Sequence, residues 1–206
     1  MSETREHIIR LADRLIRQRG FNAFSYADIA AVLNIRKAAV HYHFATKSLL
    51  GQAVIEEELR RVEGYRQAHP KLGGDLQIRH LVGVFFHNSQ CNAVCLMGAL
   101  TPEFATFDAG MQAMVQRLCV AIREWVGDCL EDARSAGWMR FGGSAMDRAA
   151  LVVSTLLSSL LLSRVEGAGL FCRMIDRLLE DLGAGWRVGD LPAIGPARQE
   201  GLYSFT

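Results

Sequence analysis

The segment GFNAFSYADIAAVLNIRKAAVHYHFATKSLL, residues 20–50, decides how the N-terminal part of this 206-residue chain folds. Ser25 and Asp28 have the spacing of a capping box at the start of a helix, and apolar residues follow at helical intervals. Asn34 tolerates the left-handed backbone that ends a helix, so another helix can begin near Arg36 after a short turn. Two short helices joined in this way predict a helix-turn-helix.

Charge is distributed unevenly around this segment. Asp28 and Glu56 bracket it, so 27 consecutive residues contain no acidic side chain. Residues 1–55 carry eight Lys and Arg against four Asp and Glu, whereas the remainder carries 15 against 18. Duplex DNA has one negative charge per ~1.7 Å of its axis, which acidic side chains would oppose. The pattern predicts a basic nucleic-acid-binding module joined to a slightly acidic segment with another task.

The helix predicted from Arg36 to Phe44 has the composition of a recognition helix. Arg36 and Lys37 lie at its N-terminal end, from which side chains reach base edges, and Ala38 and Ala39 permit close approach. Groups that can donate to phosphate oxygens follow: His41, Tyr42, His43 and Lys47. The two histidines can instead cap or pack the helix. A metal site is not expected, because their spacing does not put them on one helical face.

The rest of the chain also has helical periodicity. A helix before Gly20 carries a basic stripe of Arg10, Arg14 and Arg17. Thr46 has the position of an N-cap for the fourth helix. Further helices are predicted over residues 76–89, 99–105, 108–136, 145–165 and 170–182. The predicted fold class is therefore all-α.

Composition indicates a cytoplasmic protein. The five cysteines are an odd number, and no apolar run follows a basic start, which argues against a secreted disulfide framework. The uncharged helical run at residues 149–163 is shorter than the ~20 residues that a membrane helix needs. No membrane association is expected.

Residues 20–50 closely resemble the DNA-binding segment of the TetR family of bacterial transcriptional regulators. Gly20-Phe21, Asp28-Ile29-Ala30, the aromatic and histidine run ending in Phe44, and Lys47 fall at the family's spacing. The match is strong over about the first 55 residues and weaker beyond them. Three positions depart from the family pattern: Asn34 replaces a turn glycine, His41 a tyrosine, and Ala45 a proline.

The resemblance implies an N-terminal three-helix DNA-binding domain at residues 1–48. It also implies a larger helical effector-binding and dimerisation domain at 49–183, which leaves an irregular tail at 184–206. By the same resemblance, Ser25 and Tyr26 contact the DNA backbone, residues 36–39 read bases, and His41, Tyr42, His43 and Lys47 contact phosphates. The implied partners are a palindromic double-stranded operator and a small-molecule effector that the sequence does not identify. No cofactor is implied.

Aromatic residues and methionines beyond residue 80 could line a hydrophobic cavity or simply fill the core. The candidate ligand-binding residues are Phe85, Phe86, Cys95, Phe104, Phe107, Met111, Met114, Leu118 and Trp125. Residues 149–163 are uncharged on every side of their helix, so that helix must be covered all round. The 145–165 and 170–182 helices therefore predict a homodimer interface, with a monomer built on a central helix as the alternative.

The leading hypothesis is a ligand-responsive transcriptional repressor. A small-molecule-binding helical enzyme is the first alternative, but the chain has no phosphate-binding glycine loop, His-Glu-x-x-His helix or nucleophile elbow, so no catalytic residue is assigned. The second is a regulator that senses thiol-reactive compounds through Cys91 or Cys95. With His87, these cysteines are spaced i, i+4 and i+8, and would share a face if one helix continued through Asn92.

Overall fold

The computed structural model describes residues 3–91 and 93–191, and this part of the chain contains helices and no strands. The all-α prediction is confirmed. The α-helices are α1 (Glu3–Arg19), α2 (Tyr26–Leu33), α3 (Lys37–His43), α4 (Lys47–Ala68), α5 (Gly74–Gln90), α6 (Leu96–Leu100), α7 (Ala109–Ser135), α8 (Ala145–Glu166) and α9 (Gly169–Asp181). Short 3-10 helices cover Thr101–Thr106 and Val188–Asp190.

The helices pack as two compact units. The first consists of the described residues up to Arg60 together with Cys95–Cys119, and the second of Arg61–Val94 and the described residues from Val120 onward. The functional limits at residues 48 and 183 stay predictions. Of the predicted tail, residues 184–191 include the second 3-10 helix, whose Val188 is buried, and residues 192–206 lie outside the described part.

The core of the first unit forms around the apolar face of α1, where Ile8, Ala12 and Ile16 are fully buried. These residues are four apart and so lie on one side of the helix. Ile29 of α2 and Val40 of α3 are also fully buried. The basic helix-turn-helix is thus anchored by a small number of apolar residues.

Arg17 does not belong to the predicted basic stripe. Arg10 and Arg14 are exposed, but Arg17 is buried, and its guanidinium pairs with Asp13 at 2.8 Å and with Glu58 at 2.9 Å. The Glu58 pair connects α1 to α4, because its carboxylate comes from a residue 41 positions later. Removing one member of such a buried pair typically costs about 3–5 kcal/mol, since the other charge stays buried.

The helix predicted over residues 99–105 is not one α-helix. Helix α6 ends at Leu100 and a 3-10 helix follows over Thr101–Thr106, with Pro102 in its first turn. Proline has no amide hydrogen to donate and is tolerated in a first turn, where that donor is not needed. Cys95 precedes α6 as its N-cap, and the sulfur accepts a hydrogen bond from the Gly98 amide at 3.3 Å.

In the second unit, α8 packs against α9 and α5. The buried face of α8 includes Val152, Leu156 and Leu160, and the facing side of α9 includes Phe171 and Ile175. By length and composition alone α8 could cross a bilayer, as can core helices of soluble proteins. The uncharged residues 149–163 of α8 are covered on one side by α5 and α9, and the other side of the helix is open within the unit.

Helices α5 and α7 cross at Gly74. A β-carbon at this position would come within 2.0 Å of the Cys129 carbonyl oxygen, so only glycine fits. The Gly74 amide donates to an Asp132 carboxylate oxygen at 2.6 Å, which satisfies a free donor at the start of α5. The two backbones are in direct contact at this point.

Candidate DNA-binding surface

A reciprocal polar contact starts α2, as the sequence predicts. One carboxylate oxygen of Asp28 accepts hydrogen bonds from both the amide and the hydroxyl of Ser25, each at 2.7 Å. These bonds stabilise the charged carboxylate, and the Ser25 hydroxyl contributes most to lowering the Asp28 pKa. The Ser25 hydroxyl is exposed at the edge of the helix-turn-helix.

The turn between α2 and α3 depends on Asn34. Its backbone has φ 53° and ψ 43°, a left-handed conformation that asparagine tolerates better than most residues. The amide of Ile35 then donates back to the Ala30 carbonyl at 3.0 Å, which closes the C-terminus of α2. Arg36 is extended and serves as the N-cap of α3. The chain thereby enters α3 after a tight turn.

Helix α3 exposes nearly all of its side chains. Of its residues, all described, Val40 alone is buried. The exposed set, which includes the preceding Arg36, is Arg36, Lys37, Ala38, His41 and Tyr42, and Ala39 and His43 are half-buried. Tyr42 has 87 % of its surface in solvent, which is unusual for an aromatic side chain in a packed unit. We call this set, Arg36 to His43 without Val40, the α3 surface.

Tyr26 supports the α3 surface from beneath. Its hydroxyl donates to the Phe44 carbonyl at 2.9 Å, and its ring packs edge-on against His41 with 4.7 Å between ring centres. Burial raises the pKa of Tyr26 to about 12, so the hydroxyl stays protonated and keeps this bond. The predicted DNA-backbone contact would require a group that is already used to hold the end of α3.

Lys47 also makes its contacts inside the first unit. Its half-buried ammonium donates to the Phe24 carbonyl and lies 4.2 Å and 4.7 Å from the ring centres of Phe24 and Phe21. Burial lowers the Lys47 pKa, and the carboxylates of Glu103 and Asp28 oppose that change. An ammonium has three donors, so a phosphate contact is compatible with the bond to Phe24.

Residues 8–54, which contain the whole helix-turn-helix, match the family model described as bacterial regulatory proteins, tetR family. Two solved structures extend the likeness along the chain. A TetR-family transcriptional regulator from Agrobacterium tumefaciens has a TM-score of 0.80 at 25 % identity, covering 87 % of this chain and 97 % of that one. A TetR regulator from Legionella pneumophila has 0.71 at 27 %, covering 84 % and 96 %. Residues 8–54 therefore carry the DNA-binding segment of the tetR family, and the chain shares the fold of tetR-family regulators.

A curated relative agrees with this assignment. The HTH-type transcriptional repressor NemR of Escherichia coli K12 is 21 % identical over 173 residues, which cover 80 % of this chain and 85 % of NemR. The resemblance recognised in residues 20–50 is confirmed. The tetR-family fold implies DNA binding, dimerisation and response to a small-molecule effector, and regulators with this fold are generally not enzymes.

The candidate ligand-binding residues are divided between the two units. Cys95, Phe104, Phe107, Met111, Met114 and Leu118 belong to the first, and Phe85, Phe86 and Trp125 to the second. In the first unit, Phe107 packs edge-on against Phe21 at 5.2 Å. In the second, the Trp125 indole donates to the Gln77 side chain at 2.9 Å. Both contacts also serve ordinary core packing.

Sequence analysis did not identify two polar side chains of the second unit, the half-buried His80 and the buried Asn88. The His80 ring stacks on Tyr65 at 4.1 Å, and burial, with a smaller effect of His69, lowers the His80 pKa to about 4. Asn88 is 3 % exposed, and its amide nitrogen has no hydrogen-bonding partner among residues 3–91 and 93–191. A buried amide without a partner is costly, which makes Asn88 a candidate donor to a bound effector.

The structure does not provide the continuous helix on which the thiol-sensor alternative depended. Helix α5 ends at Gln90, before Cys91, and Cys95 caps the next helix. Burial raises the pKa of the Cys95 thiol to about 11, which disfavours the reactive thiolate. Cys91 is exposed, with its sulfur 3.6 Å from the His87 ring. Nothing in this arrangement favours a thiol sensor over a tetR-family regulator of the usual kind.

Proposed function

We propose that the protein is a homodimeric repressor that binds a palindromic operator through the α3 surface and is released by a small molecule. One observation carries the proposal: α3 is fixed by Val40 and leaves two basic residues, Arg36 and Lys37, exposed at its N-terminal end. A recognition helix needs this arrangement, because the side chains that reach base edges stand at its start. NemR, the relative described above, is a repressor.

Within this proposal the side chains have different tasks. Arg36 and Lys37 read base edges, since Arg and Lys pair with the two acceptors that guanine presents in the major groove. The small side chains of Ala38 and Ala39 let the helix approach the bases. His41, Tyr42, His43, Lys47 and Ser25 donate to phosphates. Tyr26 acts through its bond to Phe44, which keeps the end of α3 in position.

The homodimer would form through α8 and α9. One side of these helices is open and apolar within the unit, and its exposed members are Leu151, Leu161, Leu162, Val165 and Met174. Such a patch on a soluble protein marks an interaction site. A two-fold axis through it pairs the same surface on both protomers and yields two recognition helices for two half-sites.

Release by an effector follows from differential binding. An effector that prefers a dimer whose recognition helices no longer fit successive major grooves lowers operator affinity by the same coupling free energy with which DNA lowers effector affinity. The effector would be mainly apolar, because the candidate ligand-binding residues are aromatic, aliphatic or sulfur-containing. Asn88 would donate a hydrogen bond to an acceptor on it.

Selection from a random DNA library with the purified dimer tests this function. We expect enrichment of a sequence with two-fold symmetry, with half-sites about 10 base pairs apart or a multiple of that distance. The matched control is the double variant Arg36→Ala and Lys37→Ala, which should enrich nothing specific. Failure of the natural chain to retain any duplex at low salt without small molecules would refute the proposal. Enrichment of a single half-site would refute the dimeric part alone.

A further inference from the structure

In the first unit, the turn between α1 and α2 is fastened to the 3-10 helix Thr101–Thr106 by two hydrogen bonds. The backbone amide of Asn22 donates to one carboxylate oxygen of Glu103 at 3.0 Å. The side-chain amide of Asn22 donates to the Thr106 hydroxyl, also at 3.0 Å. The partners are more than 80 positions apart in sequence, so the contacts are tertiary. We call them the Glu103 clamp.

Gly20 shows how closely the carboxylate fits this turn. Its backbone has φ +94°, and a β-carbon there would come within 2.6 Å of the second Glu103 oxygen. The left-handed conformation favours glycine, and a larger residue here would also have to displace the Glu103 carboxylate. One Glu103 oxygen holds the Asn22 amide while the other lies against Gly20. The same side chain adds an attraction for Lys47, where it opposes the lowering of the Lys47 pKa by burial.

Tight apolar packing accompanies the clamp. Phe21, between Gly20 and Asn22, meets Phe107 edge-on at 5.2 Å. On α4, a β-carbon at Gly51 would lie 2.7 Å from both the Phe21 ring and the Met111 side chain. The aromatic contact limits how far the α1–α2 turn can move away from Phe107. The directional hydrogen bonds of the Glu103 clamp fix the orientation of the turn.

We propose that Glu103 is a positioning residue for operator recognition: its carboxylate holds the α1–α2 turn, and with it α2 and α3, in the orientation that fits a specific site. The inference rests on the proposed DNA-binding function. A helix-turn-helix whose orientation is already fixed loses less conformational entropy when it binds DNA in one geometry. Non-specific binding accepts many geometries and depends mainly on charge, so it gains little from the clamp.

The two possible roles of Glu103 predict opposite changes in operator affinity when the side chain is removed. If the carboxylate acts only through its charge, Glu103→Ala removes a repulsion and strengthens binding to every DNA. If the carboxylate positions the helix-turn-helix, Glu103→Ala weakens operator binding roughly 3- to 10-fold, the net effect of one lost solvent-exposed hydrogen bond, while binding to unrelated DNA stays equal or rises. The specificity ratio, operator over unrelated duplex, is therefore the quantity to measure.

The experiment compares full-length variants on the selected operator and on a scrambled duplex at two salt concentrations, with thermal melting as a check of folding. Glu56→Ala is the charge-matched control, because Glu56 is an exposed carboxylate of the same unit outside the clamp. It should leave the specificity ratio unchanged. Glu103→Gln keeps an acceptor oxygen and should recover most of the ratio that Glu103→Ala loses.

An operator affinity of Glu103→Ala equal to or above that of the natural chain overturns the proposal. If Glu103→Ala melts below the assay temperature, Thr106→Val decides, because it leaves the Glu103 carboxylate in place and removes the acceptor of the Asn22 side chain, together with the bond that the Thr106 hydroxyl donates to the Glu103 carbonyl at 2.7 Å. A reduced specificity ratio in Thr106→Val then supports the clamp and an unchanged ratio overturns it. Failure of the proposed DNA-binding function is recognisable separately, since the natural chain would then bind neither duplex.

Discussion

Helices α3 and α8 each leave one side uncovered within their own unit, but the chemistry of the two sides is opposite. Around α3 the exposed groups are Arg36, Lys37 and polar aromatic rings, whereas α8 exposes Leu151, Leu162 and Val165 to 56 %, 47 % and 86 %. Charged groups remain solvated until a phosphate replaces water, but apolar area in water costs roughly 25 cal/mol per Å². The chemistry of an open face thus indicates whether DNA or protein covers it.

The largest expected effect comes from placing a charge on the open apolar face of α8. Leu162→Glu should dissociate the dimer, because two carboxylates would be buried without partners, at a cost of about 3 kcal/mol or more. Operator binding should fall with it, since a monomer engages one half-site. Sedimentation equilibrium at micromolar protein measures the change.

The matched control for that prediction is Leu76→Glu, the same substitution at an exposed leucine of α5. This variant should remain dimeric. If Leu162→Glu also remains dimeric, the open face of α8 is not the interface, and the contrast with α3 loses its meaning.

A substitution on the exposed α3 surface is expected to have an intermediate effect on operator binding. Arg36→Ala should weaken operator binding by about 1–3 kcal/mol and relax the base preference at one position of each half-site, because a base contact is lost. Arg14→Ala removes an equal charge from an exposed position on α1 and should leave base preference intact. Titrations against operators substituted at single positions separate the two. A uniform loss over all sequences would assign Arg36 to phosphates.

The smallest effect concerns the half-buried His80 of the second unit, in contrast with the exposed His41 of α3. Between pH 6.5 and about 4 the unfolded chain protonates His80, whereas the folded chain keeps it neutral. Its contribution to stability is present above pH 6.5 and is lost as the pH falls. His80→Phe, which keeps a ring against Tyr65, should therefore reduce the fall in Tm between pH 7 and 5 by about 4 °C.

His87→Gln, on the same helix, is the control for the pH prediction, because His87 has no comparable ring stacking in the described residues. It should change the pH dependence of Tm little. An unchanged pH dependence in His80→Phe would mean that folding does not lower the His80 pKa.

The features that sequence analysis predicted well are local ones. The Ser25–Asp28 contact and the left-handed Asn34 follow from residue types a few positions apart, and both occur in the structure. The lack of charge on every side of residues 149–163 also predicted a helix that its own unit covers incompletely. In each case the physical cause lies within one helix or one turn, where spacing alone carries the information.

The features that were missed depend on distant partners. Arg17 has the spacing of a surface stripe but is buried against Glu58, and the Tyr26 hydroxyl donates to Phe44. Glu103 carried no signal, because its role arises only when Asn22 is folded against it. Spacing along the chain cannot reveal which distant carboxylate or carbonyl will satisfy a buried donor. The division of the candidate ligand-binding residues between two units is hidden for the same reason.

The glycine at the crossing of α5 and α7 has a mechanical consequence for the second unit. With the Gly74 α-carbon against the Cys129 carbonyl and its amide held by Asp132, the two helices can neither approach nor slide at that point. Any rearrangement of α5 against α7 is therefore expected to pivot at the Gly74 contact. A small displacement at the C-terminal end of α5 would then accompany a rotation of the whole helix about Gly74.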